Sequence, residues 1–418
     1  MEKVFRDPIH GLMRFDKDED RLILDLIESP EVQRLRWIRL LGPNFYVYPG
    51  AEHSRFFHAL GTAYLMKRVI ERVQSLRKKP EFKKIATHIS DYRELLLCAA
   101  LLHDVGHFPF SHILEEFTGA THESWTVRLI THPKSEVYQK LMAANKDYPQ
   151  KIAQIISRTF KPSFAVKLIS SQLDVDRMDY LLRDSYYTGV EYGRFDLDWL
   201  LHSLRIIEKN GDWELAIELR KGGRAAEDYV LARYYMYQQV YYHKTSRAAG
   251  MHILKILRRA ADVLKMNQKI SVSEPLRKLL KDYKKLTPEE FLTLDDIALI
   301  SAFREWANSQ DEVLADLCRR LNRRRLFKTI EIAPKRYAEQ KTKIEQLAKR
   351  AGFEPKYYIT LDSAADNPYI DDYLIRRTEA DENIFLVDDN FNLIELAEYS
   401  DLIQAIRNKT FGFSRLGF

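Results

Sequence analysis

Residues 101–112 read LLHDVGHFPFSH, so three imidazoles and a carboxylate directly follow the apolar run Leu95–Leu102. Seven of the twelve histidines fall between positions 53 and 122, about a sixth of the chain. On a helix, His103 and His107 stand one turn apart on a shared face, while His103 and Asp104 diverge by about 100°. Such neighbours converge only on something beside the helix that accepts both a nitrogen and an oxygen. A divalent transition metal does so: imidazole suits Zn, Fe, Mn or Ni, and carboxylate suits the harder end of that series. Further ligands must come from other helices, and His58 in RFFHALG and Asp176 in QLDVDRMDYLLRD are the candidates. Water at an open position of such an ion is acidified enough to attack at neutral pH. His10, His88, His132, His202 and His252 read as ordinary core or surface histidines.

The elements that must position these groups are mostly helical. Apolar residues recur three and four apart in LILDLIESPEVQRLRWIRLL, RFFHALGTAYLMKRVIERV, ELLLCAALLHD and AAEDYVLARYYMYQQVYYH. Pro30, Pro43, Pro109 and Pro162 mark turns between them. DWELAIEL (212–219) alternates like a strand after Lys209-Asn210-Gly211, which predicts a short hairpin near 205–220. After about 326 the texture changes. KTIEIAP, YYITLD and IFLVDD read as strands, separated by the helical YAEQKTKIEQLAKRAG and followed by a last helix around LIELAEYSDLIQAIR. The expectation is a mostly α protein, with a helical domain over 1–326 and a small α/β appendage over 327–418.

Composition narrows the setting. Lys and Arg total 66 against 60 Asp and Glu, a formal charge of +6 that fits an anionic small ligand as well as nucleic acid. Two cysteines, Cys98 and Cys318, exclude a disulfide framework and point to a reducing cytoplasm. The charged start MEKVFRDPIHG lacks the apolar core of a signal peptide. The longest apolar run, Leu95–Leu102, is far short of the roughly 20 residues needed to span a bilayer, so no membrane partner is expected.

The pattern His…His-Asp…Asp, distributed over several helices, resembles the HD-domain phosphohydrolases. DPIHG (7–11), QRLRWIRLLG (33–42), YPGAEHSRFFHALG (48–61), LLHDVGHFPFSH, DVDRMDYLLRD (174–184) and YQQVYYHK (237–244) together resemble the deoxynucleoside triphosphate (dNTP) triphosphohydrolases among them. The resemblance implies an HD-type helical core and metal ligands His58, His103, Asp104 and Asp176. It further implies catalytic positions His107, His112, Glu115 and His122, with His112 and Glu115 as a coupled pair and His122 or His107 as proton donor. An imidazole beside a carboxylate titrates near working pH, which suits that role. Arg55, Arg177 and Arg233 match triphosphate-binding positions, with Lys244 a further candidate. Tyr180, Asp184 and Tyr241 match positions around the sugar, where Tyr241 crowds the 2′ carbon; Tyr237, by its register with Arg233, and Leu41 are further substrate-binding candidates. Leu40 stands where a glutamine is expected, which shifts recognition of the 3′-hydroxyl to Asp184.

The same resemblance implies regulation. Lys3, Val4, Glu28, Gln33 and Arg36 match one activating nucleotide site, and Arg205, Arg324 and Lys328 an adjacent one, which implies a nucleotide activator and a homo-oligomer (dimer or tetramer). The implied substrate is a dNTP carrying Mg on its triphosphate, cleaved to deoxynucleoside and inorganic triphosphate. The alternatives are an HD phosphohydrolase acting on another nucleotide, a metal-bound sensor, and a nucleic-acid-binding protein or nuclease. The last is disfavoured because the basic residues are scattered.

Overall fold

The Arg55–Ser75 helix packs against both the Arg93–Leu102 and Val175–Thr188 helices, and the predicted metal ligands lie on this trio and on the turn that directly follows Leu102. The computed structural model describes residues 1–333, 336–366, 383–407 and 411–418. Leu95 through Leu102 are all buried, as a helix apolar on every side must be. The helix stops at Leu102, and residues 103–106 form tight turns in which Val105 N–H donates to Leu102 O (3.2 Å) and His107 N–H to Asp104 O (3.1 Å). His103 and His107 therefore do not share a helix face, contrary to the sequence expectation. Gly106 permits the turn. A Cβ there would lie 2.1 Å from Thr126 N and 2.4 Å from His122 O, on the His122–Thr131 helix.

The segment after this turn is held in an unusual path. Phe110 and Ser111 adopt positive φ (52° and 53°), which costs on the order of 1–3 kcal/mol per residue unless the surroundings enforce it. They do so here. Buried Asp296 accepts from Phe110 N–H (2.8 Å) and Arg39 N–H (3.0 Å), and buried Arg34 donates to His107 O (2.9 Å). Ser111 then precedes the short His112–Thr118 helix, its hydroxyl accepting from Arg55 and not from the helix. Asp174 caps Val175–Thr188 by accepting from Arg177 N–H (2.7 Å), which sets Asp176 in the first turn.

Three small sheets accompany the helices. Strands β1 (Glu2–Asp7) and β2 (Gly11–Asp16) form an N-terminal hairpin that the helical reading did not anticipate. The predicted second hairpin is β3 (Leu204–Lys209) and β4 (Asp212–Glu218), joined by Asn210 (φ 52°) and Gly211 (φ 80°), the two left-handed residues a tight hairpin turn requires. In the C-terminal part, β5 (Thr329–Glu331), β6 (Thr360–Asp366) and β7 (Phe385–Val387) fall on the three predicted strand segments, apart from Pro334, which lies outside the described residues. The expected last helix instead begins as β8 (Leu393–Glu395) and continues as two short helices, followed by an unanticipated β9 (Phe411–Gly417).

The C-terminal part is the small α/β region expected, and it is tied to the helical core. β7 pairs in parallel with β4 (Ala216↔Phe385), so β3, β4, β7 and β8 form one sheet. Leu386, Leu396 and Ile403 join the main core, while among the described residues Ile332, Ile359 and Leu416 form a separate small cluster. Cys98 and Cys318 are buried free thiols. Among the described residues no helix is long and apolar enough to cross a membrane.

Candidate active site

His58, His103 and Asp104 each offer a ligand atom within 4.8 Å of the others, and Asp176 Oδ1 lies 3.0 Å from His58 Nε2 and 3.7 Å from His103 Nε2. The protonation pattern suits an ion. His103 Nδ1–H donates to Ala100 O (2.8 Å) and His58 Nδ1–H donates to Asp179 Oδ2 (2.8 Å), so both Nε2 lone pairs turn inward. His103 Nε2 is buried and has no hydrogen-bond partner among the described residues, the state of a nitrogen awaiting a ligand. Burial opposes charge on His58, yet Asp176 and Asp179 outweigh it and lift its pKa to about 10. A field that strong for a proton also draws a divalent cation. These four residues fit a transition metal in donor type and number.

The brace behind His58 was missed in the sequence. Asp179 also accepts from His10 Nε2 (2.6 Å) and from Arg183 Nε and Nη2 (2.8 Å each), and Arg183 Nη1 donates to Asp7 Oδ2 (2.7 Å). All of these side chains are buried. His10, read as an ordinary histidine, thus belongs to the site's support. A Cβ on Gly61 would stand 1.9 Å from Asp179 Oδ1, so the helix must carry glycine there for the carboxylate to approach.

A cleft of about 640 Å³ opens on these groups. On its wall Glu115 accepts from His112 Nδ1–H (2.8 Å) through one oxygen, and from His122 Nδ1–H (2.6 Å) and N–H (2.7 Å) through the other. Glu115 is therefore coupled to two imidazoles, where the sequence reading coupled it to His112. Burial would raise the Glu115 pKa, but the two imidazoles hold it far below the carboxylate range. Burial likewise disfavours charged His122, and Glu115 overrides it, raising that pKa to about 9. His107 stacks on His122 (3.9 Å between centroids, 13° between planes). Burial and the neighbouring charges of Arg55 and His122 push His107 well below the usual histidine range, so it stays neutral. Arg55 donates from Nη1 to Asp104 Oδ2 and from Nη2 to Ser111 Oγ (2.7 Å), which ties the strained turn to the candidate metal ligand Asp104.

The HD domain matches residues 55–184, bounded by Arg55 and Asp184, and the HD associated region matches residues 195–418. The chain belongs to the HD-domain phosphohydrolases. It is 40% identical over 98% of its length to the uncharacterized protein YwfO of Bacillus subtilis, of which it covers 90%. To the deoxynucleoside triphosphate triphosphohydrolase SAMHD1 of Bos taurus it is 27% identical over 70% of its own length and 54% of that protein. A phosphohydrolase structure from Bacteroides thetaiotaomicron superposes with a TM-score of 0.81, at 29% identity and full coverage of both chains.

In this HD-domain phosphohydrolase the cleft also gathers Leu41, Arg55, Arg177, Tyr180, Asp184, Tyr237 and Tyr241 from the sequence reading. Asp184 accepts from His53 Nε2 (2.7 Å) and from Tyr241 O–H (2.8 Å). Two predicted phosphate ligands are not on the wall. Arg233 is buried behind it, where Nη1 donates to Gln172 Oε1, and Lys244 is exposed at the start of the Lys244–Lys265 helix. Sequence reasoning missed Ser111, Arg158 and Arg247, which do line the cleft. Arg158 carries a signal only the backbone reveals, a φ of 63°.

The predicted regulatory residues lie outside the cleft, on different elements. Lys3 and Val4 are on β1, and Glu28 ends the Arg21–Ile27 helix. Arg36 donates to Gln33 Oε1 (2.7 Å), and Arg324 donates to Tyr46 O (2.7 Å). Lys328 pairs through its backbone with Phe418. Arg205 corrects the expectation: it is buried on β3, where its guanidinium is taken by Glu218 and by the carbonyls of His202 and Leu204.

Proposed function

We propose that the protein hydrolyses deoxynucleoside triphosphates to deoxynucleoside and inorganic triphosphate in a metal-dependent reaction. The observation that carries this reading is the sharing of one cleft by His58, Asp104 and Asp176 of the cage, the Glu115-tethered imidazoles and the Asp184–Tyr241 pair. A divalent ion such as Mn, Fe, Zn or Ni, held by the four cage residues, would supply Lewis acidity toward water and phosphate oxygens, with Mg carried by the substrate.

The chain's own groups do the rest. Arg55 and Arg177 suit triphosphate oxygens, which an arginine fork grips well. His122 is the proton donor in preference to His107, because Glu115 keeps it charged to about pH 9 while His107 is neutral. Its Nδ1 is committed to Glu115, so the Nε2 proton passes to the 5′-oxygen as the bond to phosphorus breaks. The proton released by the attacking water restores the charged imidazole. Asp184, oriented by His53 and Tyr241, accepts from the 3′-hydroxyl, and Tyr241 crowds a 2′-hydroxyl.

Leu40, on the cleft wall, favours a second reading, an HD phosphohydrolase of another nucleotide, since it offers the sugar no hydrogen bond. Product analysis with Mn²⁺ or Mg²⁺ and each dNTP, alone and in mixture, separates the two. Deoxynucleoside plus triphosphate, lost in Asp104→Ala and His103→Ala, supports the first reading; orthophosphate or pyrophosphate supports the second. The implied activator site and oligomer predict that the mixture turns over faster than the single nucleotides combined.

A further inference from the structure

Arg55, the proposed grip on the triphosphate, is itself gripped by two segments of the cleft wall. Its Nε and Nη2 donate to Ser111 Oγ (3.1 and 2.7 Å), and Nη2 also reaches Leu40 O (3.4 Å). Leu40 belongs to segment 38–42 and Ser111 to segment 107–112, and both segments line the cleft. The first is laced to the start of the Arg55–Ser75 helix: Arg39 bridges Ser54, Leu40 N–H donates to His53 O (2.9 Å) and Arg55 N–H to Ile38 O (2.9 Å). The two segments meet at Gly42, where a Cβ would lie 3.4 Å from Phe110 O.

Behind this wall one carboxylate holds both segments. Asp296, fully buried at the start of the Asp296–Trp306 helix, accepts from Phe110 N–H through Oδ1 (2.8 Å) and from Arg39 N–H through Oδ2 (3.0 Å). The Arg39 guanidinium stands off at 3.7 Å, with its Nε on Glu52. A carboxylate buried against amides costs stability, and burial lifts this one's pKa to about 6 in spite of both donors. At neutral pH it therefore stays charged, with one acceptor oxygen for each segment. Leu294, two residues earlier, accepts through its carbonyl from Arg34 Nε (2.9 Å), and Arg34 donates on to His107 O (2.9 Å). The stretch 294–296 of the associated region thus holds the second segment at two points.

We propose that Asp296 is a positioning residue for Arg55: by fixing the two segments that hold the guanidinium, it aims the fork at the triphosphate. This inference rests on the triphosphohydrolase reading above. The two bonds of Asp296 run to different oxygens, and an amide side chain has only one acceptor oxygen. Asp296→Asn can therefore keep one segment and must release the other, against which it turns an N–H.

The test reads binding apart from turnover. Inorganic triphosphate is titrated calorimetrically into the metal-loaded full chain of wild type, Asp296→Asn, Ser111→Ala and the double variant. Asp296→Asn should weaken triphosphate by about tenfold or more, the scale of loss that a misplaced binding group produces, while Mn²⁺ is still bound. Ser111→Ala, which frees the same guanidinium directly, should weaken it by about as much. The double variant should be no worse than the weaker-binding single one, because both changes act on Arg55. Independent losses would instead multiply, to roughly a hundredfold. A merely structural role lowers the fraction of folded protein, and moves neither the Kd of the folded chains nor the coupling between the two sites. If Asp296→Asn does not fold, as judged by thermal unfolding and Mn²⁺ titration, Asp296→Ala, which crowds nothing, decides by the same Kd. Unchanged triphosphate affinity overturns the inference, and so does a multiplicative loss in the double variant. Absence of triphosphate release from every dNTP by wild type is a different result, since it removes the triphosphohydrolase reading itself and the inference with it.

Discussion

The metal end and the acid–base end of the cleft are built on opposite plans. Behind His58 stand four buried groups, Asp179, His10, Arg183 and Asp7, drawn from the N-terminal hairpin and a helix far along the chain. Behind His112 and His122 stands one carboxylate, Glu115, and the two imidazole side chains are 47% and 19% exposed. The first plan fixes a position; the second fixes a charge while leaving the ring near solvent. A ligand must hold its place whatever the pH, whereas a proton donor must exchange with water each turnover.

The largest effect should come from the cage. Asp176→Ala should abolish detectable turnover, at least about a thousandfold, and leave protein that retains no stoichiometric divalent ion by elemental analysis. Retained metal would assign the ligand set elsewhere. Next, Asp179→Ala should weaken Mn²⁺ binding about 10- to 100-fold in a calorimetric titration, the usual cost of losing the group that orients a ligand histidine. Gly61→Ala should share this phenotype, because its methyl group displaces the same carboxylate. Unchanged affinity in both variants would erase the contrast between the two ends.

Glu115→Gln should do the reverse, preserving metal affinity while kcat falls by about 10²–10⁴. Its pH profile sharpens the comparison. The His122 pKa is raised to about 9 in the fold, so wild-type activity should decline as pH rises through about 9. In the variant this alkaline limb should move toward the ordinary histidine value near 6.5. Stability follows the same signs. The contribution of raised His122 is complete below about 6.5 and is lost as pH climbs through about 9, while that of depressed Glu115 is present above about 4.3 and is lost on acidification. The Tm difference between wild type and variant should therefore peak near pH 5–6 and shrink toward both extremes. The smallest effect is expected of Leu40→Gln, a change of a few-fold in KM that vanishes for a 3′-deoxy substrate.

How much of this was legible follows from distance along the chain. The His103-Asp104 doublet, His58 and Asp176 announce themselves by type and spacing, and the Asn210-Gly211 turn by local chemistry. The end of the helix at Leu102 was hidden because Leu, Cys and Ala continue a helical pattern up to His103, and the close approach of Gly106 to the His122–Thr131 helix is a contact between distant elements. His10 and Asp179 meet across a separation of 169 residues, which no local pattern encodes. The parallel pairing of β4 with β7 is non-local in the same way, so nothing near 326 signals that a strand of the C-terminal region joins the earlier hairpin. Arg233, expected at the triphosphate, and Arg205, expected at a regulatory nucleotide, are buried, because charge is visible in a sequence and burial is not.

The cleft also crosses a seam. The cage, Glu115 and Asp184 come from the stretch matched as the HD domain, while Tyr237, Tyr241, Arg247 and the β6 wall come from the stretch matched as its associated region. Recombination that exchanged one stretch without the other would yield a protein with a place for its ion and half an outline of its substrate. Each stretch is thus the selective environment of the other, and a change of diet in such a lineage can begin in the second while the first keeps its chemistry intact.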